Sequence, residues 1–81
     1  MIRPTLRQLD ILEAVARCGS FSRASADLPL TQPAVSMQIK QLESVLGAPL
    51  FEHIGKRIQL TAAGQEALQT SRAISRELSN L

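Results

Sequence analysis

Tryptophan and tyrosine are missing from this 81-residue chain, and two phenylalanines leave aromatics at 2% of the composition. The core must therefore be built from Leu, Ile, Val and Ala, and the exposed aromatics that protein-binding hot spots favour are in short supply. The single cysteine, Cys18, excludes an intramolecular disulfide and a multi-cysteine metal site. It fits a reducing compartment and reads as a small core residue. The single histidine, His53, has no second ligand at helical or hairpin spacing, so no metal and no cofactor are expected. Cys18 and His53 also stand far apart with no acidic partner evident for either, and no other nucleophile–base or carboxylate pair stands out, which argues against an enzyme. No apolar run approaches the ~18 residues of a membrane span, and no basic segment followed by an apolar one opens the chain. The expectation is a soluble, cytoplasmic protein without a membrane partner.

Charge is nearly balanced as well. Nine Lys/Arg against seven Asp/Glu give a net charge of +2, which permits an anionic partner without demanding one. At this length the chain makes one small domain, near the lower size at which a single core holds a fold alone.

What is present is a run of helix signals. Thr5 with Gln8 three residues on forms a capping-box pattern, and Leu6, Leu9, Leu12, Val15 and Ala16 then recur at helical spacing up to Cys18-Gly19, predicting a helix over about 6–18. Ser20 caps a short second helix with Phe21, Ala24 and Leu28 on one face, and Pro29 ends it. Thr31 caps a third over about 32–46, with Pro33 in its first turn and Gly47 just past its end. Leu50–His53 and Arg57–Leu60 flank Ile54-Gly55-Lys56 as a short hairpin, and Thr61 caps a long last helix. No repeat, low-complexity tract or linker interrupts them.

In the third helix, Val35, Ile39, Leu42 and Leu46 share a narrow arc that must face the core. Pro33, Met37, Lys40 and Ser44 point the other way, with Gln32, Ser36 and Gln41 on the shoulders. That second row is open to two readings. It is either a solvated face or a row that reads base edges, where Gln suits adenine and Lys suits guanine. Its amides and hydroxyls, its one formal charge in three turns, and the short helix and tight turn before it favour the second, since a helix-turn-helix lays such a helix in the major groove.

Phe21-Ser22-Arg23-Ala24-Ser25, Thr31-Gln32-Pro33-Ala34-Val35-Ser36, Gln38-Ile39-Lys40-Gln41-Leu42-Glu43, Leu46-Gly47, Leu50-Phe51 and Leu60-Thr61-Ala62-Ala63-Gly64 together resemble the DNA-binding domain of LysR-type transcriptional regulators. The resemblance covers most of the chain in order. It implies a mainly α winged helix-turn-helix, three helices plus a hairpin wing, over 1–60, followed by a linker and dimerisation helix over 61–81. It further implies a bacterial source, a location at the nucleoid when DNA-bound, a dimer on a partly palindromic double-stranded operator, and a missing C-terminal domain that would sense a small-molecule inducer.

By the same resemblance, groove contacts fall at Gln32, Pro33, Ser36 and Met37, with Lys40 continuing the row. Met37 departs from the arginine frequent in the family and offers an apolar contact, as to a thymine methyl, in its place. His53 likewise replaces a frequent arginine; it is either a phosphate contact or structural. Lys56 and Arg57 at the hairpin tip are either soluble surface or a wing laid on the minor groove. Ser20, Ser22, Arg23, Thr31 and Gln41 are the remaining candidates for the backbone, although Thr31 also reads as a cap and Arg23 as a solvated charge.

In the last helix Leu60, Gly64, Ala67, Ser71, Ile74, Leu78 and Leu81 alternate spacings of four and three, the 3.5-residue repeat of a shared helical seam. The first turns are expected to pack on the chain's own core. Ser71, Ile74, Leu78 and Leu81 are expected to meet a second copy, antiparallel if the family pattern holds.

Overall fold

The computed structural model describes residues 3–81 as four helices and a hairpin: α1 Leu6–Cys18, α2 Phe21–Asp27, α3 Gln32–Leu46, β1 Phe51–Ile54, β2 Arg57–Leu60 and α4 Ala62–Ser79. Met1 and Ile2, at the start of the expected 1–60 unit, lie outside the described residues. The mainly α winged helix-turn-helix is the architecture found, and the helix bounds follow the capping residues.

At the start of α1 the Thr5 hydroxyl accepts from the Gln8 amide and the Gln8 side-chain oxygen accepts from the Thr5 amide, both at 3.1 Å. Two amides left over by the helix start are thereby satisfied. Ser20, Thr31 and Thr61 cap α2, α3 and α4 in the same manner, each accepting from an amide three residues on. α1 is the central element, packed against α2, α3 and α4. Its Leu9, Ile11, Leu12, Ala14 and Val15 meet Ala24 of α2, Val35, Ile39 and Leu42 of α3, and Leu50. At about 1.5–3 kcal/mol for each large aliphatic side chain taken out of water, this cluster supplies most of the driving force available to so small a chain.

Four details differ from expectation. The first strand begins at Phe51, not Leu50, and Ile54 pairs with Arg57, so the connection is the two residues Gly55-Lys56. Gly55 has φ 64°, the left-handed value that a tight hairpin turn of this kind assigns to glycine. Leu46 is 42% exposed rather than in the core. It sits in the last turn of α3, on the rim of an apolar groove shared with Leu6 and Leu9 of α1 and Ala67 and Ile74 of α4. Ile74 is partly buried against the core, because α4 follows α1 further along than the seam requires. Ser71 is 3% exposed, and its hydroxyl donates to the Leu9 carbonyl at 3.3 Å, so the side chain placed at a dimer seam is satisfied inside its own chain.

The start of α4 is tied closely to the segment before the hairpin. Thr61 donates through its amide to the Leu50 carbonyl at 3.0 Å and through its hydroxyl to the Pro49 carbonyl at 2.6 Å. Gly64 then lies so close that a Cβ there would collide with the Leu50 carbonyl oxygen and crowd the Leu60 side chain. Alanine normally improves a helix interior over glycine by about 1 kcal/mol, but here the obstacle is backbone that cannot swing aside. We predict that Gly64→Ala lowers stability by about 1–3 kcal/mol in urea unfolding, the usual range for overpacking. A rise in stability would mean that the close approach is no constraint.

Candidate nucleic-acid interface

Burial of Val35, Ile39 and Leu42 decides what α3 shows to solvent. With those three against α1, the opposite side presents Gln32, Pro33, Met37, Lys40 and Gln41 as exposed residues and Ser36 as a half-buried one. Met37 is 52% exposed, an apolar side chain left in water on an otherwise polar face.

Gln32, Ser36 and Lys40 follow one another at intervals of four, one above the next along the helix. They line an open groove of about 310 Å³ together with Phe21, Phe51 and His53. The groove therefore joins the row on α3 to the root of the hairpin. Phe21 and Phe51 meet edge to face, ring centres 5.7 Å apart, and fix that junction. Glu43 also borders the groove, but its carboxylate accepts from the Leu50 amide at 2.8 Å and serves the fold. In the sequence Glu43 stands only as part of a motif, and no local pattern announces a carboxylate that reaches a backbone amide seven residues on.

The remaining predicted residues divide by what already occupies them. The hydroxyls of Ser20 and Thr31 accept the Arg23 and Ala34 amides, so each has a capping duty. Ser22, exposed on α2, donates its hydroxyl to the Gln32 side-chain oxygen at 3.1 Å and so links the two helices of the motif. His53 is exposed on β1 opposite Ile58. Lys56 and Arg57 are exposed at the hairpin tip and do not border the α3 groove, so the surface has two separate parts.

Electrostatically, the two parts share one property. Among the described residues the ion pairs are both made by Arg17, to Glu13 and to Asp27. Its guanidinium pKa is raised, first by the Asp27 hydrogen bond and then by Glu13, and the charge stays in place as a brace between α1 and α2. Arg23, Lys40, Lys56 and Arg57 have no such partner and remain free to meet an outside anion. Among the described residues no group of three or more His, Cys, Asp or Glu is placed to hold a metal ion, and no helix is long and apolar enough to cross a membrane.

Residues 6–65 match the family model described as bacterial regulatory helix-turn-helix protein, lysR family. The RuBisCO operon transcriptional regulator of Allochromatium vinosum is 54% identical over 74 residues, which cover 91% of this chain and 24% of that protein. The HTH-type transcriptional activator CmpR of Synechocystis is 48% identical over 81 residues, 100% of this chain and 27% of the relative. The chain thus spans about a quarter of the length of these curated relatives. A crystal structure of a CbnR DBD–DNA complex superimposes with a TM-score of 0.87 at 36% identity, covering 94% of this chain and 87% of that one.

The capping duty of Thr31 generates a test. Thr31→Ala should lower stability by about 1 kcal/mol in denaturant unfolding, the usual worth of an N-cap, and Thr31→Ser should restore it. An unchanged midpoint together with weakened DNA binding would assign the hydroxyl to a phosphate instead.

Proposed function

The chain belongs to the LysR family of bacterial regulatory helix-turn-helix proteins, and from that premise we propose that its α3 row reads base edges in the major groove of an operator while its hairpin holds the flanking backbone or minor groove. In this reading Gln32, Pro33, Ser36, Met37 and Lys40 face the bases. Arg23, Gln41, His53, Lys56 and Arg57, with the α2 and α3 starts at Ser20, Ser22 and Thr31, face phosphates and sugars. The observation that carries it is the row of Gln32, Ser36 and Lys40 along one open groove, with Lys40 there and Lys56 and Arg57 at the hairpin tip left unpaired by any carboxylate. The likeness to a solved DNA complex supports DNA binding by this fold. The chain acts by binding and catalyses nothing; it uses no cofactor and works in the bacterial cytoplasm at the nucleoid. Residues 1–60 form the DNA-binding unit and 61–81 the linker, beyond which the whole protein would carry a domain for a small-molecule inducer. The name of the Allochromatium vinosum relative makes a RuBisCO operon control region the first operator to test.

Phosphate contact makes affinity fall with salt. The log–log slope should steepen by about 0.9 for each phosphate neutralised, and a flat response would sink the proposal. Lys56→Ala and Arg57→Ala should weaken operator and random DNA alike and flatten the slope by about that amount each. Gln32→Ala or Ser36→Ala should instead relax preference at one position per half-site, at a cost of about 1–3 kcal/mol. Equal loss on every sequence would make them positioning contacts.

We also infer that the end of α4 pairs with a second copy. Leu78 is 50% exposed and Leu81 fully so, and both continue the strip begun by the groove at Leu6, Leu46 and Ile74. Such an apolar strip on a small soluble protein marks a contact surface, and a twofold pairing sets two recognition helices at neighbouring major grooves. Leu78→Glu should shift the chain to monomer in sedimentation, weakening association roughly tenfold or more because about 1.5–3 kcal/mol of burial is lost per side chain. Operator binding should fall while helicity is kept. A wild-type chain that sediments as a monomer at high concentration would defeat the inference.

A further inference from the structure

We propose that Ser22 is a positioning residue that decides which bases Gln32 accepts, by turning the Gln32 amide so that only its donor end faces the groove. The inference rests on the reading of α3 given above and goes beyond it. The Ser22 hydroxyl donates to the Gln32 side-chain oxygen at 3.1 Å, and the contact crosses from α2 to the first turn of α3. A side-chain amide is planar, with a carbonyl that only accepts on one branch and an NH2 that only donates on the other. Once the carbonyl is held toward α2, the NH2 leads away from it. The first residue of the recognition helix then presents donors.

This changes the base that Gln32 suits. A free glutamine matches adenine by accepting from N6 and donating to N7 at once, which needs both branches of the amide at the base edge. A glutamine whose oxygen is engaged by Ser22 offers its two N–H groups to acceptors. Guanine presents two in the major groove, N7 and O6; thymine presents O4 and adenine N7, but the adenine amino group beside N7, like that of cytosine, faces the NH2 donor to donor. The Ser22–Gln32 pair therefore favours guanine, and then thymine, on the contacted strand over adenine and cytosine. Within the chain the Ser22 hydroxyl has no competing partner: it donates to Gln32, while the α2 cap is supplied by Ser20 and the Ser25 hydroxyl goes to the Ser22 backbone carbonyl; a phosphate contact would use its oxygen as well and would show as a loss uniform over all sequences. Because Ser22 and Gln32 are both exposed, removing the hydroxyl leaves no buried group unpaired, and its effect is confined to the amide.

The test is selection from a randomised duplex DNA pool by the whole 81-residue chain and its Ser22→Ala, Ser22→Thr, Gln32→Ala and doubly substituted Ser22→Ala/Gln32→Ala forms, each checked for unchanged helicity. The position whose preference Gln32→Ala abolishes should favour guanine or thymine in the wild type. Ser22→Ala should erode that preference by roughly three- to tenfold, the worth of one neutral hydrogen bond, and let adenine rise at that position alone. Ser22→Thr should keep the wild-type profile, and the double variant should match Gln32→Ala. An adenine preference in the wild type, an unaltered profile in Ser22→Ala, or a Ser22→Ala loss that is uniform over all sequences would each overturn the positioning role while Gln32 kept its place as a reader. If Gln32→Ala alters no position, the reading of α3 fails first and this inference with it.

Discussion

Leu50 is the point on which the architecture turns. Its side chain is fully buried in the cluster, its amide donates to the Glu43 carboxylate at the end of α3, and its carbonyl accepts from the Thr61 amide at the start of α4. One residue thus joins the recognition helix, the hairpin that follows and the long helix beyond. A buried backbone amide or carbonyl left unpaired costs free energy comparable to a lost hydrogen bond, so the three elements are not free to drift about this junction. Gly64 tightens the same node from the far side, because only a residue without a side chain lets the first turn of α4 lie on the Leu50 carbonyl.

The direction of the hairpin follows from that node. Phe51 begins β1 immediately after Leu50, and its ring meets Phe21 of α2, so the root of the wing is held by the helix-turn-helix itself. The tip is left to a two-residue turn with free cations beside it. A rigid root with a small charged tip suits a contact that positions without reading, since backbone and minor-groove contacts depend on charge and shape more than on donor pattern.

The features legible in the sequence are those that depend on neighbours within one or two helical turns. Thr5 with Gln8, Ser20, Thr31 and Thr61 announce helix starts because a cap reaches an amide only three residues away. The arc of Val35, Ile39 and Leu42 announces the buried side of α3 because the period of the helix is fixed. Leu46 obeyed the same period and yet stands half in water, since periodicity names a face but does not say how far along that face the partner helix extends. Ser71 shows the converse: it lies on the expected stripe, but its contact with the Leu9 carbonyl joins residues 62 positions apart, a distance over which no local pattern carries information. The pairing of Ser22 with Gln32 was hidden for the same reason, ten positions apart and on different helices. The exposed row of α3 could be drawn from the sequence; which of its polar atoms are already engaged within the chain could not.

The small net charge is also less limiting than it looks. Of the described carboxylates, Glu13 and Asp27 are bound to Arg17 between α1 and α2, Glu43 is directed to the Leu50 amide, and Glu52 accepts from the Gln59 side chain across the hairpin. Each of these four is held by a partner within the chain, while Asp10, Glu66 and Glu77, and the cations Arg23, Lys40, Lys56 and Arg57, have none. A polyanion approaching α3 and the hairpin therefore meets unpaired cations at Lys40, Lys56 and Arg57 beside the engaged carboxylates of Glu43 and Glu52, a better surface than a balance of +2 conveys. Four such cations still make a modest electrostatic grip, because each phosphate contact weakens as salt rises. Discrimination between sequences must then come mainly from the uncharged part of the surface: amides and hydroxyls whose donors and acceptors face the bases in a fixed order. On the reading proposed for α3, a row of Gln32, Ser36 and one lysine would serve this better than a helix covered with arginine, and the hydrogen bond that orients Gln32 would matter as much as its identity.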